Sequence, residues 1–334
     1  MINKKAQAVL ICLWILIALS VMSVGIGHRV SLGLRLSSFQ RDTLKAQYLA
    51  KAALDKAIIM IKANTQQYNC LRDDWANNPD AFKDITLSDN ADGHAYVGYL
   101  VDGGTSGDII YGAIDEQRKI NINLCDHSII VSLLQVCGID QTKAEELATN
   151  IEIWRGTKAL PDDQDSYYRN TLGYACKKNK LTNIDELVLI SGFSGIDNAV
   201  IQRIKNLITV YGDEKINPNT ASEAVLKVLA LKAVGDISGA SESDASNFVL
   251  AIITMRQNAD YFSTANINDM IAKLSFEDAA SDNRTKILSI LQPIFTVKSS
   301  FYRITSSASV HSANVNLTVI YDKNSDRVVW YHKN

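Results

Sequence analysis

Residues Ala8–Gly27 read AVLICLWILIALSVMSVGIG, a run without one charged side chain. About 20 apolar residues are what an α-helix needs to cross a bilayer's hydrocarbon. Lys4 and Lys5 precede the run, and His28 and Arg29 follow it. By the positive-inside rule the short basic side is cytoplasmic. A secretory signal would have a shorter apolar core and a small-x-small cleavage site. Ala18-Leu19-Ser20 could serve, but apolar sequence continues past it. A lipoprotein signal would need a small residue before its cysteine, and Cys12 follows Ile11. The run therefore reads as a retained anchor.

The anchor does not stop at the membrane. From Arg29 to Gln67 there is no proline, and Gly33 is the one glycine. Leu44, Leu49, Ala53, Ala57, Met60 and Ile61 recur at helical spacing, among helix formers such as Lys45, Ala46, Ala50, Lys51, Leu54 and Lys56. One helix from residue 8 to about 66 would be roughly 90 Å long. It would be apolar all round at its start and amphipathic at its end. The expected plan is a membrane anchor fused to a core-packing helix. The rest of the chain is bland. Its net charge of −2 supplies no field toward nucleic acid or anionic lipid, and 47% hydrophobic residues suffice for a sizeable core.

After the helix, His94–Asp102, Asp108–Ala113 and Arg118–Asn123 read as short strands, as do Ile294–Lys298, Phe301–Val310, Val315–Asp322 and Arg327–His332. Tyr302, Ile304, Ser306, Ala308 and Val310 make the more apolar face of one of them. Gly103-Gly104-Thr105-Ser106-Gly107 lacks the Lys-Ser/Thr ending of a phosphate loop and reads as a hairpin loop. The middle repeats itself. Tyr111-Gly112 leads to Lys119-Ile120-Asn121-Ile122-Asn123, and Tyr211-Gly212 leads to Lys215-Ile216-Asn217-Pro218-Asn219. An apolar helical run follows each, with Thr220 and Glu223 read as a capping box in the second. Val136-Cys137-Gly138-Ile139 and Ile190–Ile196 mark turns between helices, similar to a helix-hairpin-helix. Residues 128–288 carry an excess of about five acidic charges, which opposes phosphate binding.

With these features the chain resembles the pilins and pseudopilins, and most closely minor pseudopilin K of bacterial type II secretion systems. Ala6 stands where that family has glycine before the leader cut, and Gln7 would be the first mature residue. Ile11 then occupies the fifth mature position, where ordinary pilins carry glutamate and pseudopilin K does not. Cys70–Ala76, Ile153-Trp154-Arg155, Asp162–Asp165 with Tyr167-Tyr168, Ile184–Leu187 with Ser191-Gly192-Phe193, and Lys215–Ala221 resemble family segments in the same order. The departures are Ala6 and a sparse acidic loop near residue 162.

The resemblance implies an α+β fold: a long N-terminal transmembrane helix packed on an antiparallel pilin sheet, with a large all-α domain inserted between strands. The expected divisions are leader 1–6, membrane segment 7–27, helix continuation and first part of the pilin domain 28–127, inserted domain 128–288, and completing strands 289–334. It implies a non-enzymatic subunit at the tip of the pseudopilus, anchored once in the inner membrane with its bulk in the periplasm. Partners would be the I- and J-type minor pseudopilins, the major pseudopilin, the inner-membrane assembly platform, and the prepilin peptidase that cuts and methylates. A type IV minor pilin, or a membrane-anchored DNA-binding protein built on the helical hairpins, are the alternatives.

No catalytic set is visible: the five histidines are dispersed. Asp162, Asp163 and Asp165 after Pro161 read as a solvated acidic loop. The family's calcium binding makes them candidate calcium ligands, and otherwise no cofactor is expected. Asp73, Asp74, Asp115 and Glu116 read as exposed or salt-bridged charge. Cys70, Cys125, Cys137 and Cys176 would face the periplasm, where at least one disulfide is expected. Cys125 and Cys137 bracket one helix and would lie roughly 18 Å apart. That is beyond disulfide reach, and two pairings stay open.

Overall fold

The computed structural model describes residues 4–86, 92–100, 109–274 and 281–333. One uninterrupted helix, α1 (Lys4–Ala63), opens the chain. Its Val9–Ala63 stretch is long and apolar enough to cross a membrane. No residue from Val9 to Leu36 is covered by the rest of the molecule. Packing begins at Asp42, and from there Ala46, Leu49, Ala50, Ala53, Leu54, Ala57 and Ile61 form the buried stripe. Four alanines in that stripe let the helix approach a sheet closely.

A single turn, α2 (Pro79–Phe82), follows. Then come β1 (Gly93–Val97), β2 (Tyr99–Leu100), β3 (Ile109–Ile110), β4 (Ile114–Asp115) and β5 (Ile120–Asn121). The helical part comprises α3 (His127–Val136), α4 (Gln141–Trp154), α5 (Asp162–Tyr167), α6 (Asn198–Leu207), the short β6 (Ile208–Thr209), α7 (Glu223–Gly235), α8 (Glu242–Gln257), α9 (Ile267–Leu274) and α10 (Ser281–Leu291). Three strands close the chain: β7 (Phe301–Val310), β8 (Ala313–Asp322) and β9 (Arg327–Lys333).

The main sheet runs β1-β7-β8-β9 with every neighbour antiparallel, and β4 pairs with β7 beside β1. β7 alternates buried and exposed along its length. Tyr302, Ile304, Ser306, Ala308 and Val310 face α1, as their period-2 pattern predicts. The sheet's first strands precede the helical part and its last three follow it, so the helical domain is inserted in sequence between them. It has a separate core.

Several expectations need correcting. Ile294–Lys298 is no strand: a 3-10 turn occupies Gln292–Ile294, and Phe295 makes only an isolated bridge to Ile216. Thr220 caps nothing. Ser222 is the N-cap of α7, its hydroxyl accepting from Val225 N–H, because Thr220 is drawn away as a donor to Asp115. The Asp162–Asp165 segment is helical, since Pro161 and the aspartates after it suit a helix start and its dipole. The Gly103–Gly107 loop lies outside the described residues.

The repeat seen in sequence is a repeat of structure. Asn121 accepts from Asn123 N–H, and Asn217 from Asn219 N–H, each an Asx turn. Asn123 then exchanges two hydrogen bonds with the Leu181 backbone (2.8 and 2.7 Å), as Asn219 does with Phe262 (both 2.9 Å). Arg155, ending α4, donates to the Ile122 and Cys125 carbonyls; Arg256, ending α8, donates to those of Pro218 and Ala221. Each copy is thus a helix pair whose entering strand is fastened by one asparagine and one arginine. The two Tyr-Gly pairs differ in cause. A side chain at Gly112 would collide with the Trp75 and Ala76 carbonyls, whereas Gly212 needs its positive φ of 86°.

Candidate assembly surfaces

The two units meet at a buried polar junction. Asp115 ends β4, and its carboxylate accepts from Gln117 N–H (2.8 Å), Thr220 Oγ1 (2.6 Å) and Ser299 Oγ (2.5 Å). It makes no ion pair among the described residues, and burial pushes its pKa up to about 6 against those hydrogen bonds and the nearby charge of Arg118. Its neighbour Glu116 is fully buried. It accepts from Arg303 Nε of β7 at 2.6 Å and Thr209 Oγ1 of β6 at 2.5 Å, with Lys119 Nζ at 3.8 Å. Burial would raise its pKa, but Lys119 and Arg303 outweigh this and hold it below the usual value. Both carboxylates, read from the sequence as exposed or salt-bridged charge, are buried, and of the two Glu116 is salt-bridged. The signal available in sequence was their place just ahead of the first Lys-Ile-Asn copy.

The segments that resembled a known family come together as scaffolding. Trp75 is buried edge-on to Tyr302, 4.9 Å between ring centres, and donates to Asp73. Asp73 also accepts from Asn64 and Asn69 side chains and from Cys70 N–H, which gathers the chain as it leaves α1; Asp74 is exposed. Trp154 donates to Glu186, which also pairs with Lys177 at 2.7 Å. Partial desolvation opposes ionisation of Glu186, but Lys177 and Thr182 hold its pKa down at about 2. Trp154 also packs on Tyr168, whose hydroxyl accepts from Ser191 N–H.

Cys70, Cys125, Cys137 and Cys176 are buried free thiols, so the expected disulfide is not formed in this structure. Cys70 lies beside Asp73, while the other three contribute to the helical core. The candidate calcium ligands Asp162, Asp163 and Asp165 lie in the first turn of α5. Asp165 Oδ2 is engaged by Arg169 at 2.9 Å, while its Oδ1 is buried without a partner, which would favour a cation. Among the described residues, however, no three His, Cys, Asp or Glu side chains gather as a metal-binding group.

Several large apolar side chains stay exposed. Ile11 is 60% exposed within an anchor that carries no acid. Beyond the anchor, Leu44, Tyr48 and Ile59 stay exposed on α1 away from the sheet. Val328, Val329 and Tyr331 stay exposed on β9, which ends the sheet order. Exposed apolar stripes on a helix and on an edge strand are the features of a subunit built to pack with others.

Comparison with known proteins agrees with this architecture. Residues 116–213 match the family described as Type II secretion system (T2SS), protein K. No curated protein sequence matches the chain. The fold is similar to that of a chain in the crystal structure of the GspK-GspI-GspJ complex from the enterotoxigenic Escherichia coli Type 2 Secretion System. The identity is 15% and the TM-score 0.61, covering 90% of this chain and 99% of that one. The matched segment begins at Glu116 of the polar junction and holds the first of the two fastened helix pairs, and over that segment the chain is similar to type II secretion system protein K.

Proposed function

We propose that this protein is a non-enzymatic tip subunit of a type II secretion pseudopilus. It would start and cap the filament that helps export folded proteins across the outer membrane. The observation that carries this reading is Ile11, in an anchor uncharged from Gln7 to Gly27. In filaments of this class a carboxylate at the fifth mature position meets the N-terminal amine of the subunit already in place. An ionised group left alone at hydrocarbon depth is costly, so that pairing guides assembly. A first subunit has no predecessor and needs no such acid. The helical domain, set on one end of the pilin unit, would widen the head and obstruct addition beyond it.

In this reading the prepilin peptidase cuts between Ala6 and Gln7 on the cytoplasmic face, and the bulk of the chain stands in the periplasm. The I- and J-type minor pseudopilins pack along the exposed faces of α1 and the sheet. The GspK-GspI-GspJ complex whose fold is similar makes these the partners to test. Co-expression of the full chain with the I- and J-type pseudopilins of the same secretion system, followed by affinity purification in mild detergent, should yield a stoichiometric ternary complex. Recovery of this chain alone would sink the reading.

A further inference from the structure

A cleft of about 670 Å³ lies where the sheet unit meets the helical domain, and none of its lining residues belongs to α1. Five cations reach it: Arg118, Lys119, Arg203, Lys205 and Arg303. Three are already committed. Arg303 and Lys119 share buried Glu116, and Lys205 pairs with Asp185 at 2.6 Å. Arg118 and Arg203 make no ion pair among the described residues. Asp185 and Glu223 are the acids at the wall, and Asp185 is taken by Lys205, so the balance is cationic. The first turn of α7 also opens on the cleft and adds the positive end of a helix. Leu100, Ile114, Val136, Ile184 and Leu207 give the same cleft apolar wall.

We infer that this cleft binds an acidic peptide segment of a partner protein, one in which a carboxylate stands next to an apolar side chain. A guanidinium fork matches a carboxylate in two hydrogen bonds, and the apolar lining takes the neighbouring side chain. The volume falls in the range of small-ligand and peptide pockets, which form preferentially at such domain boundaries. Nucleic acid fits less well. Two cations outside ion pairs are far short of the six to ten phosphate contacts of a typical duplex-binding surface.

The test uses the full chain in detergent micelles and a pentapeptide labelled at its N-terminus, fluorescein-Leu-Glu-Phe-Glu-Leu-amide, followed by fluorescence anisotropy. The analogue with glutamine in place of glutamate should bind at least about tenfold more weakly, since a hydrogen-bonded charge contact is worth a decade or more in affinity. The double variant Arg118→Gln/Arg203→Gln should erase that preference without changing the melting temperature. Arg118 is half-buried, so the single exposed variant Arg203→Gln serves if the double variant fails to fold, and it should cut the preference by about threefold or more. Equal binding of the two peptides, a preference that survives in the variants, or displacement of the peptide by a lower concentration of duplex DNA would each overturn the inference.

Discussion

Replacing Glu116 with alanine should loosen the junction between the two units more than any surface substitution. The carboxylate is wholly buried and takes hydrogen bonds from Arg303 in the sheet and Thr209 in the helical domain. Removing it takes away the carboxylate that the Arg303 guanidinium, only 20% exposed, is paired with. Breaking a buried pair from one side costs about 3–5 kcal/mol. At about 2–4 °C per kcal/mol for a domain of 150–250 residues, the melting temperature should fall by roughly 6–20 °C. Calorimetry of the full chain in detergent measures this. Glu116→Leu combined with Arg303→Met should lose less, because the Arg303 guanidinium is removed together with its partner. The sign with pH is also fixed. The folded pKa of Glu116 is depressed, so its contribution is present above the ordinary glutamate value and fades as pH falls below it. The Glu116→Ala defect should therefore be constant from pH 8 to about pH 5 and shrink in stronger acid. A melting temperature within about 2 °C of the parent at pH 7 would refute the reasoning.

Asp115 works in the opposite sense. Its folded pKa is raised to about 6, so its penalty is full above that pH and is relieved as pH falls toward the ordinary aspartate value. His127, held between Glu145 and Glu152 at 2.9 Å each, is raised against partial desolvation and adds stability as it protonates. Melting temperature should thus rise between pH 7.5 and pH 5, and Asp115→Asn should flatten the rise; a fall over that range would contradict both assignments. Burial pushes the Cys125 thiol up to about 12 and that of Cys137 to about 11. Iodoacetamide at pH 8 should spare both in the native protein and modify both after denaturation without reductant; peptide mass spectrometry reads the result, and an unreduced disulfide would refute it. Asn123→Ala and Asn219→Ala each strand a buried backbone N–H and C=O, at about 1–3 kcal/mol per orphaned group. Each should lower the melting temperature by several degrees, and if only one does, the two copies are not equivalent supports.

The legible parts of this fold are those with a strong period. The uncharged run, the Ala-rich stripe from Ala46 to Ile61 and the alternation of Phe301–Val310 announced helix and strand within a few residues of their observed ends. What the sequence concealed depends on contacts far along the chain. Asp115 and Glu116 look like ordinary surface acids until Arg303 and Thr209 arrive from positions remote in sequence. Thr220 beside Glu223 mimics a capping box, but a hydrogen bond to Asp115 outcompetes the local one. Asp162–Asp165 could be loop or helix start by composition, and Pro161 decides for helix. The Asn and Arg fasteners of the two copies could have been found from the repeat alone, since Arg155 and Arg256 each end the second helix of their pair.

The central claim, a subunit that starts and caps the filament, is tested most directly by where the protein sits. Pseudopili overproduced in cells carrying an epitope in the helical domain should take immunogold at one end only. Label distributed along the shaft would contradict the account.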